Sequence, residues 1–130
     1  MEHSGMVIDT SIFIEFLRAK NKKQTTLFCI PKTKQLYISS VTLYELYMGA
    51  TTPEKKSDIQ ILTEDIPVLP FDDAVAKKAA EIYHRLRLDN KIIEFRDIFI
   101  AATALVHELP INTLNKKHFE RINELSIISN

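Results

Sequence analysis

Short apolar runs alternate along this chain with longer stretches whose apolar residues return every three or four positions. Met6-Val7-Ile8-Asp9 predicts a short buried strand ending on an acid. Thr10-Ser11 then opens a helix whose apolar stripe is Ile12, Phe13, Phe16 and Leu17. A short helix is predicted around Thr25–Cys29, stopped by Pro31. Gln35–Ser39 is a second strand. Ser40 or Thr42 starts a helix carrying Val41, Leu43, Tyr44, Leu46 and Tyr47, punctuated by Gly49. Pro53 suits the first turn of a helix carrying Ile59, Ile61 and Leu62. Ile66–Phe71 reads as a third strand whose prolines suit an edge. Asp72 or Asp73 caps a long helix over 74–88, with Ala76, Ala79, Ala80, Tyr83 and Leu86 inward. Phe95 to Val106 is an almost wholly apolar, alanine-rich helix and should lie centrally. Residues 110–113 are a fourth strand, Asn115 opens a turn or short helix to Arg121, and 125–128 are a last strand.

Strands alternating with helices imply right-handed crossovers and a mostly parallel sheet covered on both faces. The expected fold is therefore a three-layer α/β/α sandwich, built as a single domain over residues 1–130. Residues 1–5 are read as a tag remnant or an alternative start and left out of the fold.

Composition narrows the chemistry. Two glycines exclude glycine-rich phosphate loops, and one cysteine excludes a disulfide framework or a cysteine zinc site within one chain. Cys29 reads as a core filler in a reducing, cytoplasmic setting. Basic and acidic residues balance at 17 each, so net charge does not announce a nucleic-acid binder. The distribution says more: Arg18, Lys20, Lys22, Lys23, Lys32 and Lys34 fall in a stretch without an acid. No apolar run has the length of about 18 residues that a membrane helix needs.

In parallel sheets, ligands bind beyond the carboxyl ends of the strands. The polar residues there are Asp9 after the first strand, Glu45 in the helix after the second, and Asn115 and His118 after the fourth. Asp97 lies near the start of the apolar helix preceding the fourth strand. Singly, each has an ordinary reading: Asp9 as a helix cap, Glu45 as a solvated acid, Asp97 as an acid favoured by the helix dipole. Asn115 alone is a turn residue, and His118 alone a surface residue. Together, three acids in apolar contexts repel unless a cation lies between them. Oxygen ligands suit Mg²⁺ or Mn²⁺, and such an ion on a carboxylate cluster activates water and clamps a phosphodiester. Dinucleotide, P-loop, GxSxG and HExxH patterns are absent from the sequence.

These residues resemble the PIN-domain ribonucleases, specifically the VapC-like toxins of type II toxin–antitoxin pairs, from Val7 to about Ile128. VIDTSIFIEFL carries the opening acid Asp9, with Thr10 and Ser11; SSVTLYELYMGA carries Glu45 and Gly49. VLPFDDAVAKKAAEIY resembles the family's middle passage, and FRDIFIAATAL carries Asp97. INTLNKKHFERI carries Thr113, Asn115, His118 and Phe119. The resemblance implies the PIN sandwich, Mg²⁺ or Mn²⁺ held by Asp9, Glu45 and Asp97, and endonucleolytic RNA cleavage leaving 5′-phosphate and 3′-hydroxyl ends. Thr10, Ser11, Asn115 and His118 would orient water or phosphate. The resemblance also implies a homodimer, a small cognate antitoxin and no membrane association.

Many relatives carry a fourth acid where this chain has His118, so one well-held ion is expected rather than two. Glu94 is read as a solvated surface acid with a spare-carboxylate role left open, and a phosphate contact by Arg96, beside Asp97, is weighed but not adopted. Arg18, Lys20, Lys22, Lys23, Lys116 and Lys117 are the candidate RNA contacts, against the ordinary reading of a solvated face. Tyr44, Tyr47, Leu62 and Ile66 are either a dimer patch or monomer core. Two other readings stay open: a catalytically weak metal- and partner-binding scaffold, and a DNA-directed metal nuclease.

Overall fold

A computed structural model describes residues 5–130. Its sheet comprises β1 (Gly5–Ile8), β2 (Gln35–Ser39), β3 (Val68–Leu69) and β4 (Ile111–Asn112), in the order β3-β2-β1-β4. Every pairing is parallel, with Val7 opposite both Tyr37 and Ile111, and Ile38 opposite Val68. The first and fourth strands are therefore neighbours, so the segments that follow them share one edge.

The strand β1 alternates its side chains between two cores, as a pleated strand must. Val7 packs with Val75, Ile82, Leu86, Ile98, Ile100 and Phe119 on one face. Met6 and Ile8 pack with Ile12, Phe13, Ile38, Leu46 and Ile59 on the other. The first face is covered by α5 (Asp73–Leu88) and α6 (Phe95–Val106), which pack on each other. The second is covered by α1 (Thr10–Arg18), α2 (Thr26–Cys29), α3 (Ser40–Met48) and α4 (Pro53–Thr63). A short α7 (Lys116–Phe119) follows β4. The layers are α/β/α, and α6 is central, with Ile98 and the run from Ile100 to Ala104 buried.

Several local expectations need correction. Gly5 belongs to the fold: it is buried in β1, and a Cβ there would lie 2.9 Å from the Tyr37 ring. The rest of that stretch, residues 1–4, lies outside the described residues. The cap of α3 is Ser39, whose Oγ accepts from the Thr42 amide at 3.0 Å, rather than Ser40 or Thr42. Strand β3 shrinks to two residues, because Pro67 and Pro70 on either side offer no N–H to a neighbour. Of the last strand only the bridge Ile127–Ile111 remains. The inner face of α5 is Val75, Ala79, Ile82 and Leu86, and Ala76 and Ala80 face solvent. The larger side chains bury more apolar area, so they set the helix's rotation. Cys29 is exposed, while its neighbours Leu27 and Ile30 turn inward against the core. Leu62 and Ile66 also pack on that core, whereas Tyr44 and Tyr47 are exposed.

Among the described residues, no helix is long and apolar enough to cross a membrane, and no buried side-chain nitrogen or oxygen lacks a partner.

Candidate active site

The chain leaves β1 at Ile8, and Asp9 becomes the N-cap of α1, only 2% exposed. Its Oδ2 accepts from the Ser11 hydroxyl at 2.6 Å and from the Thr113 hydroxyl at 2.8 Å. Both hydroxyls accept in turn from backbone beyond β4: Leu114 N–H donates to Ser11 Oγ at 3.0 Å, and Asn115 N–H to Thr113 Oγ1 at 2.9 Å. One carboxylate oxygen thus ties the start of α1 to the loop after β4. The other, Oδ1, takes none of these bonds.

Glu45 points across to α1 and α6, not to solvent, and its side chain is 15% exposed. Thr10 donates its hydroxyl to Glu45 Oε1 at 2.7 Å, and the Thr42 hydroxyl lies 3.0 Å from Thr10 Oγ1. A hydroxyl has one proton, so Thr42 donates to Thr10 and the three form a directed chain. On the other side, Arg96 Nη1 lies 3.3 Å from Glu45 Oε2, and its Nη2 lies 2.9 Å from Glu94 Oε2. The guanidinium pKa is raised by its hydrogen bond to Glu94, then by the charge of Glu45 and of Glu94 itself, with a lesser contribution from Asp97.

Asp97 occupies the first turn of α6, its side chain 17% exposed, with His118 Nδ1 3.1 Å from its Oδ2. Burial pushes its carboxyl above the usual range, and the charges of Asp9 and Glu94 push the same way. The bond and charge of His118 oppose them. Asn115 caps α7 by position, but its side chain makes no capping bond and stays available.

These groups line one open cleft of about 490 Å³, walled by Asp9, Thr10, Ser11, Glu45, Asp97, Asn115 and His118, with Arg18, Glu94 and Arg96. All seven site residues predicted from the sequence meet there. Among the described residues, no three His, Cys, Asp or Glu side chains converge tightly enough to hold an ion as they stand. Each acid has its own partner: hydroxyls hold Asp9, Thr10 and Arg96 hold Glu45, and His118 holds Asp97. The donor set nevertheless fits a hard divalent ion. It is all oxygen apart from one imidazole, and the charge of Asp9 acting on Asp97 is the crowding that a cation relieves.

Of the RNA-contact candidates, only Arg18 lines the cleft. Lys22 needs correction. Its ammonium donates to the carbonyls of Phe16, Leu17 and Ala19 at 2.7, 3.3 and 3.1 Å, and sits over the Phe16 ring. It closes the C-terminus of α1, where unpaired carbonyls attract a cation. Lys20 and Lys23 are exposed, and Lys116 and Lys117 lie on the helix of His118. The sequence offered Thr42 only as a helix start and Arg96 only as an unadopted phosphate contact, and it gave Thr113 no chemical task. Thr113 had a signal: a hydroxyl directly after a strand at the ligand-binding edge. Arg96 had only its adjacency to Asp97.

The acid-lined cleft lies at the carboxyl edge of a parallel sheet, where such sheets bind ligands, with oxygen donors inside and Arg18 and Arg96 among its lining. The model of the PIN domain family matches residues 6–125. Ribonuclease VapC of Rickettsia bellii is 31% identical, over 96% of this chain and 96% of its own. The structure of VapBC-1 from nontypeable Haemophilus influenzae superposes with a TM-score of 0.82 at 25% identity, covering 96% of this chain and 97% of that one. VapBC-5 of Mycobacterium tuberculosis, a member of the VapBC family of toxin-antitoxin systems, gives 0.73 at 26% identity, covering 96% of each chain. The chain belongs to the PIN-domain family, among its VapC-type ribonucleases.

Proposed function

We propose that this chain is the toxin of a toxin–antitoxin pair, a Mg²⁺- or Mn²⁺-dependent endoribonuclease working at the cleft of Asp9, Glu45 and Asp97. The observation that carries this reading is the meeting of three carboxylates from separate segments at one sheet edge, each aimed inward by a named partner. The name ribonuclease on relatives spanning nearly the whole chain supports RNA as substrate. The toxin-antitoxin assembly of the Mycobacterium tuberculosis relative supports an antitoxin as partner, and our reading includes a cytoplasmic site of action. Tyr44, Tyr47 and Met48, exposed on α3, favour a homodimer.

Asp9, Glu45 and Asp97 are the residues that would hold the ion. When bound, the ion supplies a water acidic enough to attack phosphorus near neutral pH and offsets charge on the leaving 3′-oxygen. The chain's own part is positioning. Ser11 and Thr113 fix Asp9 through Oδ2 and leave Oδ1 to the cleft. Thr10 aims Glu45, and His118 aims Asp97. Asn115, with its amide uncommitted, orients water or a phosphate oxygen. Arg18, Lys20, Lys23, Lys116 and Lys117 track the RNA backbone, so activity should fall steeply with salt.

The test is cleavage of matched end-labelled RNA and DNA strands by wild type and Asp97→Asn, with Mg²⁺, Mn²⁺ or EDTA. The reading expects metal-dependent cutting of RNA by wild type alone. Equal cutting by both proteins would remove the assigned site, and preferential cutting of DNA would replace the substrate.

A further inference from the structure

The three predicted ligands are held in different ways. Asp9 is held by neutral hydroxyls and Asp97 by an imidazole. Glu45 is held by an arginine, whose charge persists at every working pH. Its two oxygens are both engaged, Oε1 by Thr10 and Oε2 by Arg96. The guanidinium reaches from Glu45, 15% exposed at the cleft wall, to Glu94, 66% exposed at its mouth. One end of Arg96 is therefore committed to the cleft and the other to solvent-facing carboxylate.

A divalent ion drawing on Glu45 meets a carboxylate whose charge is already offset. Two cations on one carboxylate oxygen repel, and the weaker hold yields. Arg96 does not have to leave the site's rim to yield, because Glu94 keeps the other nitrogen at 2.9 Å.

We propose that Arg96 is the cleft's built-in counter-ion: it holds Glu45 while no divalent ion is bound and must release it for one to bind. This deepens the proposed function and rests on its assignment of the cleft as a divalent-ion site. It accounts for Glu45 lying in one cleft with two further carboxylates, since Arg96 offsets its charge from 3.3 Å. It also makes metal loading and the freeing of a guanidinium at the cleft mouth a single event, which presents positive charge where an RNA phosphate enters.

The test needs no RNA. Mn²⁺ is titrated into wild type, Arg96→Gln and Arg96→Lys, with free ion read by electron paramagnetic resonance and folding checked by circular dichroism. Arg96→Gln removes the competing charge and should bind Mn²⁺ about tenfold more tightly, or about 1.4 kcal/mol. Arg96→Lys keeps a cation in place and should stay near wild type. Adding Asp97→Asn to Arg96→Gln should abolish the tight binding. Unchanged or weaker binding by Arg96→Gln overturns the counter-ion role and leaves the metal site standing. Tight binding that survives Asp97→Asn places the ion elsewhere and overturns it too. Absence of Mn²⁺ binding by all the proteins overturns both this inference and the metal reading beneath it.

Discussion

Replacing Thr113 with valine removes one oxygen and almost no volume, so it isolates the hydroxyl that joins Asp9 to the loop after β4. Thr113 is fully buried and Asp9 is 2% exposed, so solvent does not screen the contact. The hydroxyl makes two bonds: it donates to Asp9 Oδ2 at 2.8 Å and accepts from Asn115 N–H at 2.9 Å. A hydrogen bond to a charged group contributes about 1.5–3 kcal/mol, and the second bond, from the N–H of exposed Asn115, adds about 0.5–1 kcal/mol. The expected loss is therefore about 2–4 kcal/mol, a large part of the roughly 5–15 kcal/mol that holds a domain folded. For a chain of this length that is a fall in Tm of roughly 10 °C. Urea denaturation followed by circular dichroism measures it, and Thr113→Ser, which keeps the hydroxyl, should lose less than about 1.5 kcal/mol. In an Asp9→Ala background the valine change should cost about half as much, because one of its two bonds is already gone. A loss below about 0.5 kcal/mol in the wild-type background would refute the argument, as would the same loss in both backgrounds.

Other changes probe other links. Asp97 has its carboxyl pushed up by burial, so the folded chain binds that proton more tightly than the unfolded chain does. The associated stability is present below the ordinary carboxylate pKa and is lost as pH rises through the folded value. Asp97→Asn should therefore abolish cleavage yet be more stable than wild type at pH 7, with the gain shrinking toward pH 4; destabilisation at pH 7 in urea melts would count against this. Gly5→Ala should cost about 1–3 kcal/mol, since its Cβ would meet the Tyr37 ring at 2.9 Å, and a neutral result would mean the strand shifts freely. Lys22→Met should lower stability by about 0.5–1 kcal/mol through loss of the α1 cap, while leaving the salt dependence of RNA binding unchanged. Lys23→Ala should do the reverse, flattening the salt slope without altering the melt.

The sequence made the layers and the cleft legible, because both depend on local signals. Apolar runs and their spacing marked β1, β2 and α6, and the rule that ligands lie beyond strand ends then gathered Asp9, Glu45, Asn115 and His118. The places it missed depend on what a side chain meets across the fold. Lys22 looks like any basic residue until α1 ends within its reach. Ala76 and Val75 both fit a helical stripe, and the choice between them is made by the sheet below. Arg96 looked incidental because its partner Glu45 lies far away in sequence, and a salt bridge carries no local pattern. Thr113 and Thr42 are common residues whose meaning comes from the carboxylate and hydroxyl they face.

The central claim is that Asp9, Glu45 and Asp97 act as one catalytic unit on RNA. Single-turnover cleavage of an end-labelled RNA in Mn²⁺ tests it most directly, comparing Asp9→Asn, Glu45→Gln and Asp97→Asn with the triple variant. Residues that act as a unit are strongly non-additive, so each single change should lose nearly as much rate as all three together. A single variant that cuts at close to the wild-type rate, or losses that multiply independently toward the triple, would contradict it.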